Sequence, residues 1–317
     1  MTSVVFMGTP DFSVPVLQGL VDKHYDIKAV VTQPDKAVGR KQRLQSSPVK
    51  KLATELHLPV LQPSKLSGSP EMAQIIAAQP DLIITAAFGQ FLPTKLLQAA
   101  KIAAINVHGS LLPAYRGGAP IQRSIMNGDA ETGITIMFMA KKMDAGDIIA
   151  QKALPIADDD DSGTLFAKLS IVGRDLLLAQ LPFIIHGEAK RIPQDETKVS
   201  FAYNIKPEEE ELGFNHSAIA LERQIRALRP DPGAYLRHDG QRIKVWAAIV
   251  REDPDNHVPG TVITRTKHEL AIACATGALV ITKLQPAGKA EMPITSYLNG
   301  AGQHVSVGDK FVDGADE

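Results

Sequence analysis

Residues 103–113 read AAINVHGSLLP. A short run, apolar except for Asn106, breaks after His108 into glycine, serine and proline. Such a run bounded by turn residues reads as a buried strand ending at a loop. Runs of the same kind stand at SVVFM (3–7), IKAVVT (27–32), DLIITA (81–86), TGITIMFM (132–139) and DIIAQKALPI (147–156). Helical spacing between them predicts helices over 12–22, 48–57, 70–79, 93–99 and 120–127, and a longer one over 162–187. Continuous apolar strands alternating with helices predict an α/β domain on a mostly parallel sheet covered on both faces.

From Lys190 the texture changes. KRIPQDETKVSFAYNIKPEEEELGF (190–214) is polar, poorly periodic and carries four consecutive glutamates. We place a linker at 190–206. A helix over 217–228 and short alternating segments follow, separated by turn residues at the spacing of small β-barrels and sandwiches. The expected organisation is a domain over 1–189, the linker, and a smaller, mainly β domain over 207–317.

Of the 317 residues 44% are hydrophobic, enough for about two packed cores. The net charge is −1, so a polyanion-binding surface would have to be local. The single cysteine, Cys274 in LAIACA, allows no internal disulfide and no cysteine-rich zinc site, and reads as a buried small hydrophobe. The N-terminus lacks a signal-peptide pattern and no stretch approaches ~20 uninterrupted apolar residues. The expectation is a cytoplasmic protein with no membrane contact.

Asn106 and His108 end the strand two residues apart, so both side chains face the same way. In open α/β sheets ligands bind at the carboxyl ends of strands. The glycines that follow let backbone groups approach a ligand closely. KKMDAGDI (141–148), between two strands, offers Asp144 and Asp147 in a tight loop. A carboxylate there would favour an imidazolium and fix the ring. Asparagine, histidine and aspartate suit acyl transfer without a covalent intermediate: two donors for an oxyanion and a pair to manage protons. The plainer alternative is a strand-end cap and ordinary turns. Ser110 bears no mark of an activated nucleophile, and no G-x-S-x-G, zinc or dinucleotide pattern is present.

GTPDF (8–12), TQPDKAVGRKQRLQSSPVK (32–50), NVHGSLLPAYRGGAPIQRSIMNGDAETGITIM (106–137) and MDAGDI (143–148) resemble the folate-dependent formyltransferases. The basic 32–50 segment, DSGTL (161–165), QDETKVSFA (194–202), LERQIRAL (221–228) and LQPAGK (284–289) narrow the resemblance to the methionyl-tRNA formyltransferase family. It implies a Rossmann-like catalytic domain joined to a C-terminal OB-like β-barrel that binds tRNA. It implies formyl transfer from 10-formyltetrahydrofolate, as co-substrate, to the amino group of methionyl initiator tRNA, with no metal in the protein. Carried over by motif, the catalytic residues are Asn106, His108 and Asp144. Ser110, Leu111, Leu112 and Pro113 match the folate-binding turn, and Arg40, Lys41 and Arg43 fall where tRNA is contacted. A monomer is expected.

Two departures stand out. RPDPGAYL, with Asp231 at its centre, replaces the Pro-Trp-Pro that many members carry, and LGFNHS stands where an Asp-Trp is usual. Residues 34–51 hold six Lys/Arg against Asp35, a net of 6 − 1 = +5, and 222–251 hold seven against three acids, 7 − 3 = +4. Both stretches are candidate phosphate-binding surfaces; solvated charge is the alternative. Competing functional readings are a formyltransferase for a small amine, such as a sugar nucleotide or glycinamide ribonucleotide, and an RNA-binding protein with an inactive first domain.

Overall fold

The computed structural model describes residues 1–38 and 43–311, in two compact units. The first comprises Met1–Pro120, Glu131–Pro155 and Leu165–Tyr203. In chain order the elements through its last helix are β1 (Ser3–Gly8), α1 (Val14–Asp22), β2 (Asp26–Val31), β3 (Lys36–Val38), β4 (Arg43–Gln45), α2 (Pro48–Glu55), β5 (Val60–Leu61), α3 (Pro70–Ala78), β6 (Leu82–Ala86), α4 (Thr94–Leu97), β7 (Ala103–His108), α5 (Pro120–Asn127), β8 (Glu131–Phe138), β9 (Ile148–Pro155) and α6 (Ser162–Ile185). Ser47 and Ser69 cap α2 and α3 by accepting the Lys50 and Met72 N–H groups, and a proline opens each helix.

Seven strands form one sheet in the order β5-β2-β1-β6-β7-β8-β9. The five from β5 to β7 run parallel; β8 and β9 are antiparallel to their neighbours. The chain winds outward from β1 through β2 to β5, then returns to lay down β6 and β7 on the other side. Ligand crevices open at the carboxyl ends of strands where the winding reverses. The register Gly8↔Ala86 and Ala86↔Val107 brings the ends of β1, β6 and β7 level, so Asn106 and His108 sit at that edge. α6 covers β7 closely: a Cβ on Gly173 would come within 2.9 Å of the Val107 side chain.

The long basic stretch after β2 is not loop throughout, because β3 and β4 pair antiparallel within it. Segment 190–203 packs with the first unit: Arg116 N–H donates to Ser200 O at 2.9 Å, and Ala202 N–H to Arg116 O at 2.8 Å.

The second unit comprises Ile121–Ala130, Ile156–Thr164 and Asn204–Glu317. After α7 (Ala218–Leu228) come β10 (Tyr235–His238), β11 (Gln241–Arg251), β12 (Val262–Arg265), β13 (Leu270–Ala273), β14 (Ala278–Pro286), β15 (Met292–Pro293) and α8 (Ile294–Leu298). The antiparallel sheet runs β10-β11-β14-β13-β12, with β15 on β14. Register shifts at Val245/Ala247 and Ala247/Ala248 bend β11, and the sheet forms a half-barrel. α7 lays Leu221, Ile225 and Leu228 into a core with Leu236, Val245, Ile272, Leu279 and Phe311. The segments 121–130 and 156–164 join this unit through polar bonds: Arg123 to Glu209 at 2.6 Å, Ser162 Oγ to Arg229 O at 2.7 Å and Arg229 Nε to Asp161 at 2.6 Å.

Cys274 lies in this core, and burial pushes its thiol up to about 12. Thiolate, not thiol, is the reactive form. At pH 8 a disulfide reagent is therefore expected to leave the native protein unmodified and to label one thiol after urea unfolding. Complete labelling of the native protein within minutes would contradict this placement.

Candidate active site

β7 is fixed on both sides, by β6 in parallel and by β8 antiparallel, with His108 opposite Thr135 and Asn106 opposite Met137. The Asn106 amide is oriented from behind. Thr85, at the end of β6, donates its hydroxyl to Asn106 Oδ1 at 2.7 Å, which turns Nδ2 toward Asp144 Oδ1, 3.4 Å away. Asp144 Oδ2 accepts the Gly117 N–H at 2.9 Å and lies 3.8 Å from His108 Nδ1. That last distance is too long for a hydrogen bond, so Asp144 acts on His108 through charge. The His108 side chain is 6% exposed and that of Asp144 15%, which keeps water from screening the pair.

His108 Nε2 lies 3.0 Å from the Tyr115 carbonyl oxygen. A carbonyl only accepts, so Nε2 carries a hydrogen, and Nδ1 is the nitrogen facing the carboxylate. Asn106, His108 and Asp144 are thus brought together. Asp147 is not: it pairs with Arg191 at 3.5 Å.

The turn after β7 is tied down by its backbone. Thr135 donates its hydroxyl to Ser110 O at 2.6 Å and accepts the Leu112 N–H at 3.1 Å. Gln151 donates to Leu112 O at 2.8 Å. Ser110 donates its own hydroxyl to Ala114 O at 2.6 Å, which leaves it no catalytic base as partner. Leu111 covers Gly133, and Leu112 packs with Met137 and Ile148, followed by Pro113. Two side chains that position this site, Thr85 and Gln151, carry no local sequence mark.

Comparison with known proteins decides the family. A model of formyl transferases matches residues 1–181, and one of the formyl transferase C-terminal domain matches 204–302. A methionyl-tRNA formyltransferase of Latilactobacillus sakei is 62% identical over 98% of both chains. One of Lactiplantibacillus plantarum is 57% identical over 99% of this chain and 100% of its own. The chain belongs to the methionyl-tRNA formyltransferase family. Solved structures share its fold at lower identity. WlaRD, a sugar 3N-formyl transferase crystallised in the presence of dTDP and 5-N-formyl-THF, has a TM-score of 0.66 at 19% identity, over 92% of this chain and 99% of its own. HypX of Aquifex aeolicus in complex with tetrahydrofolic acid has a TM-score of 0.64 at 16% identity, over 96% of this chain and 48% of its own.

Of the family's expected tRNA contacts, Arg43 stands exposed on β4, whereas Arg40 and Lys41 lie outside the described residues. In the same segment Lys50 pairs with Asp35 at 2.7 Å. The Lys50 and Gln62 side chains hold the Asp35 carboxyl below the usual carboxylate range. This pair takes one of the six cations out of play and leaves the net charge at +5, carried by the other five. The 222–251 stretch changes more. Arg226 pairs with Glu222, Arg229 with Asp161, Arg237 with Glu211 and Arg251 with Glu269. Among the described residues Arg223, Arg242 and Lys244 are left without an acidic partner, so the broad basic face read from that stretch shrinks to three side chains. Asp231 is exposed, and the sole tryptophan, Trp246, lies against Gly233 two residues further on.

No helix among the described residues is long and apolar enough to cross a membrane. Among the described residues two clusters of three metal-capable side chains, His238/Asp239/His304 and Asp253/Asp255/His257, lie in the second unit and include none of the three site residues.

Gly117 is the tightest point of the site loop. Its φ is +131°, and a Cβ would stand 2.5 Å from Ala202 O. Gly117→Ala is expected to destabilise the protein by about 1–3 kcal/mol. The urea unfolding midpoint reads this, and an unchanged midpoint would show that the two segments do not meet as described.

Proposed function

We propose that the chain transfers the formyl group of 10-formyltetrahydrofolate to the free amino group of methionyl initiator tRNA. The observation that carries the reading is the convergence of Asn106, His108 and Asp144 on one shielded point beyond β7. The methionyl amine attacks the formyl carbon, and the carbonyl electrons move onto oxygen. Asn106 Nδ2 and the His108 N–H stabilise that oxyanion. The C–N bond to the folate then breaks, and the folate nitrogen takes up the proton that the amine loses, with His108 as carrier. The Asp144 carboxylate faces the Nδ1 side of the ring and offsets the positive charge that develops on His108 in this step. His108 Nε2 is engaged by the Tyr115 carbonyl, so that carbonyl must give way to the formyl oxygen when substrate enters.

Ser110, Leu111, Leu112 and Pro113 form the wall against the folate, held in shape by Thr135 and Gln151. We assign catalysis to the domain over 1–189, the connection to 190–206, and tRNA holding to the barrel over 207–317 together with Arg40, Lys41 and Arg43. Initiator tRNA and the folate are the partners, no metal takes part, and the enzyme works in the cytoplasm as a monomer.

The test is transfer from 10-formyltetrahydrofolate by the pure protein, with methionyl initiator tRNA, methionyl elongator tRNA and an amino sugar nucleotide as competing acceptors. Preference for the initiator tRNA is expected; preference for the sugar nucleotide would overturn the assignment. Asn106→Ala and His108→Ala are each expected to lower kcat about 100–1,000-fold without unfolding the protein. Near-normal turnover by His108→Ala at saturating substrate would refute the mechanism.

Arg40 is expected to act on tRNA alone. Arg40→Ala should raise the KM for methionyl-tRNA and reduce the log–log salt slope of that step by about 1. Arg40→Lys should be defective as well if a planar fork grips the phosphate. Equal losses toward folate and tRNA would exclude this role.

A further inference from the structure

The polar segment after α6 contains a side chain whose hydrogen bonds are all spent on the aspartate loop and its neighbour. Gln194 Nε2 donates to the backbone carbonyls of Asp144 and Gly146, each at 2.8 Å. Its Oε1 accepts from Arg116 Nε at 3.0 Å and Arg116 Nη2 at 2.8 Å. Arg116 is fully buried, and its Nη2 also donates to Glu196 at 2.8 Å. Lys142 reaches the other oxygen of Glu196 at 3.1 Å. The clamp thus joins the loop after β7, the loop between β8 and β9, and the 194–196 segment.

The bonds bear on one strained turn. Asp144 has a φ of +47°, in the left-handed region that a side-chain-bearing residue seldom occupies. A Cβ on Gly146 would run into the Phe138 carbonyl, so the turn has little room to move that way. With the Asp144 carbonyl held, its carboxylate falls against the Gly117 N–H and the His108 ring. The chemistry demands an amide at position 194. Two N–H donors meet two carbonyls while one oxygen meets a guanidinium. Glutamate would supply the oxygen but no donor; methionine supplies neither.

We infer that Gln194, backed by Arg116, is a positioning residue that holds Asp144 in register with His108, so that the segment after α6 governs turnover. The inference rests on the role given to Asp144 above.

The test is a double-mutant cycle of Gln194→Glu and Asp144→Ala, read as steady-state transfer from 10-formyltetrahydrofolate to methionyl initiator tRNA. Gln194→Glu keeps an acceptor for Arg116 and so spares the buried charge. Alone it is expected to lower kcat about 10–100-fold, the scale of a displaced catalytic group, with KM for both substrates within twofold. In the Asp144→Ala background it is expected to cost less than twofold, because residues acting as one unit are not additive. If Gln194→Glu melts below the assay temperature, Gln194→Met is read in the same cycle. Additive losses, a rise in KM alone, or unchanged kcat would overturn the inference and leave a strap that only ties chain segments together. Near-normal activity in Asp144→Ala itself would instead refute the role of Asp144, and this outcome is read separately from the cycle.

Discussion

The Asp144 carboxylate is the point on which the first unit's geometry converges. It accepts the Gly117 N–H and the Asn106 amide, and it faces the His108 ring at 3.8 Å. Each partner comes from a different device. The strand end supplies Asn106 and His108, the glycine-rich loop supplies Gly117, and a left-handed turn presents the carboxylate. A negative charge mostly removed from water needs such partners, since burying it bare would be costly. The same shielding lets a carboxylate out of hydrogen-bonding range still act on the imidazole. The sheet order explains why the devices meet there: β7 lies inside the sheet, between β6 and β8, with its end beside the crevice of the reversed winding.

Much of this was legible in the sequence, for a definite reason. Period-2 alternation puts residues 106 and 108 on one side of a strand, and glycine and proline mark where it stops. The parallel core of the sheet followed from apolar runs alternating with helices. The direction of β8 and β9 did not, because a buried strand has the same composition whichever way it runs; the short connection 139–147 was the available clue, being too brief for a crossover. Thr85 looked like any β-branched strand residue, yet its hydroxyl sets the Asn106 amide. Gln194 lay in a stretch whose polarity suggested a solvated linker. Polarity says that groups need partners and is silent on whether water or a distant backbone provides them.

Charge counting met the same limit. The stretch 222–251 carries +4 by its own residues, but Asp161, Glu211 and Glu269, which pair with three of its arginines, lie outside it. Around Arg40 and Arg43 the one acid of the segment, Asp35, is matched by Lys50 within the segment itself. A phosphate backbone is drawn most strongly to cations without a competing partner.

The most direct measurement is a crystal structure of the protein with 10-formyltetrahydrofolate and no acceptor tRNA, so that the formyl group stays on the folate. The account expects the formyl oxygen within about 3.2 Å of both Asn106 Nδ2 and His108 Nε2. It also expects the Tyr115 carbonyl to have moved off the ring and Asp144 to remain on Gly117. A formyl group bound away from Asn106, or a His108 still bonded to Tyr115 with the folate in place, would contradict it.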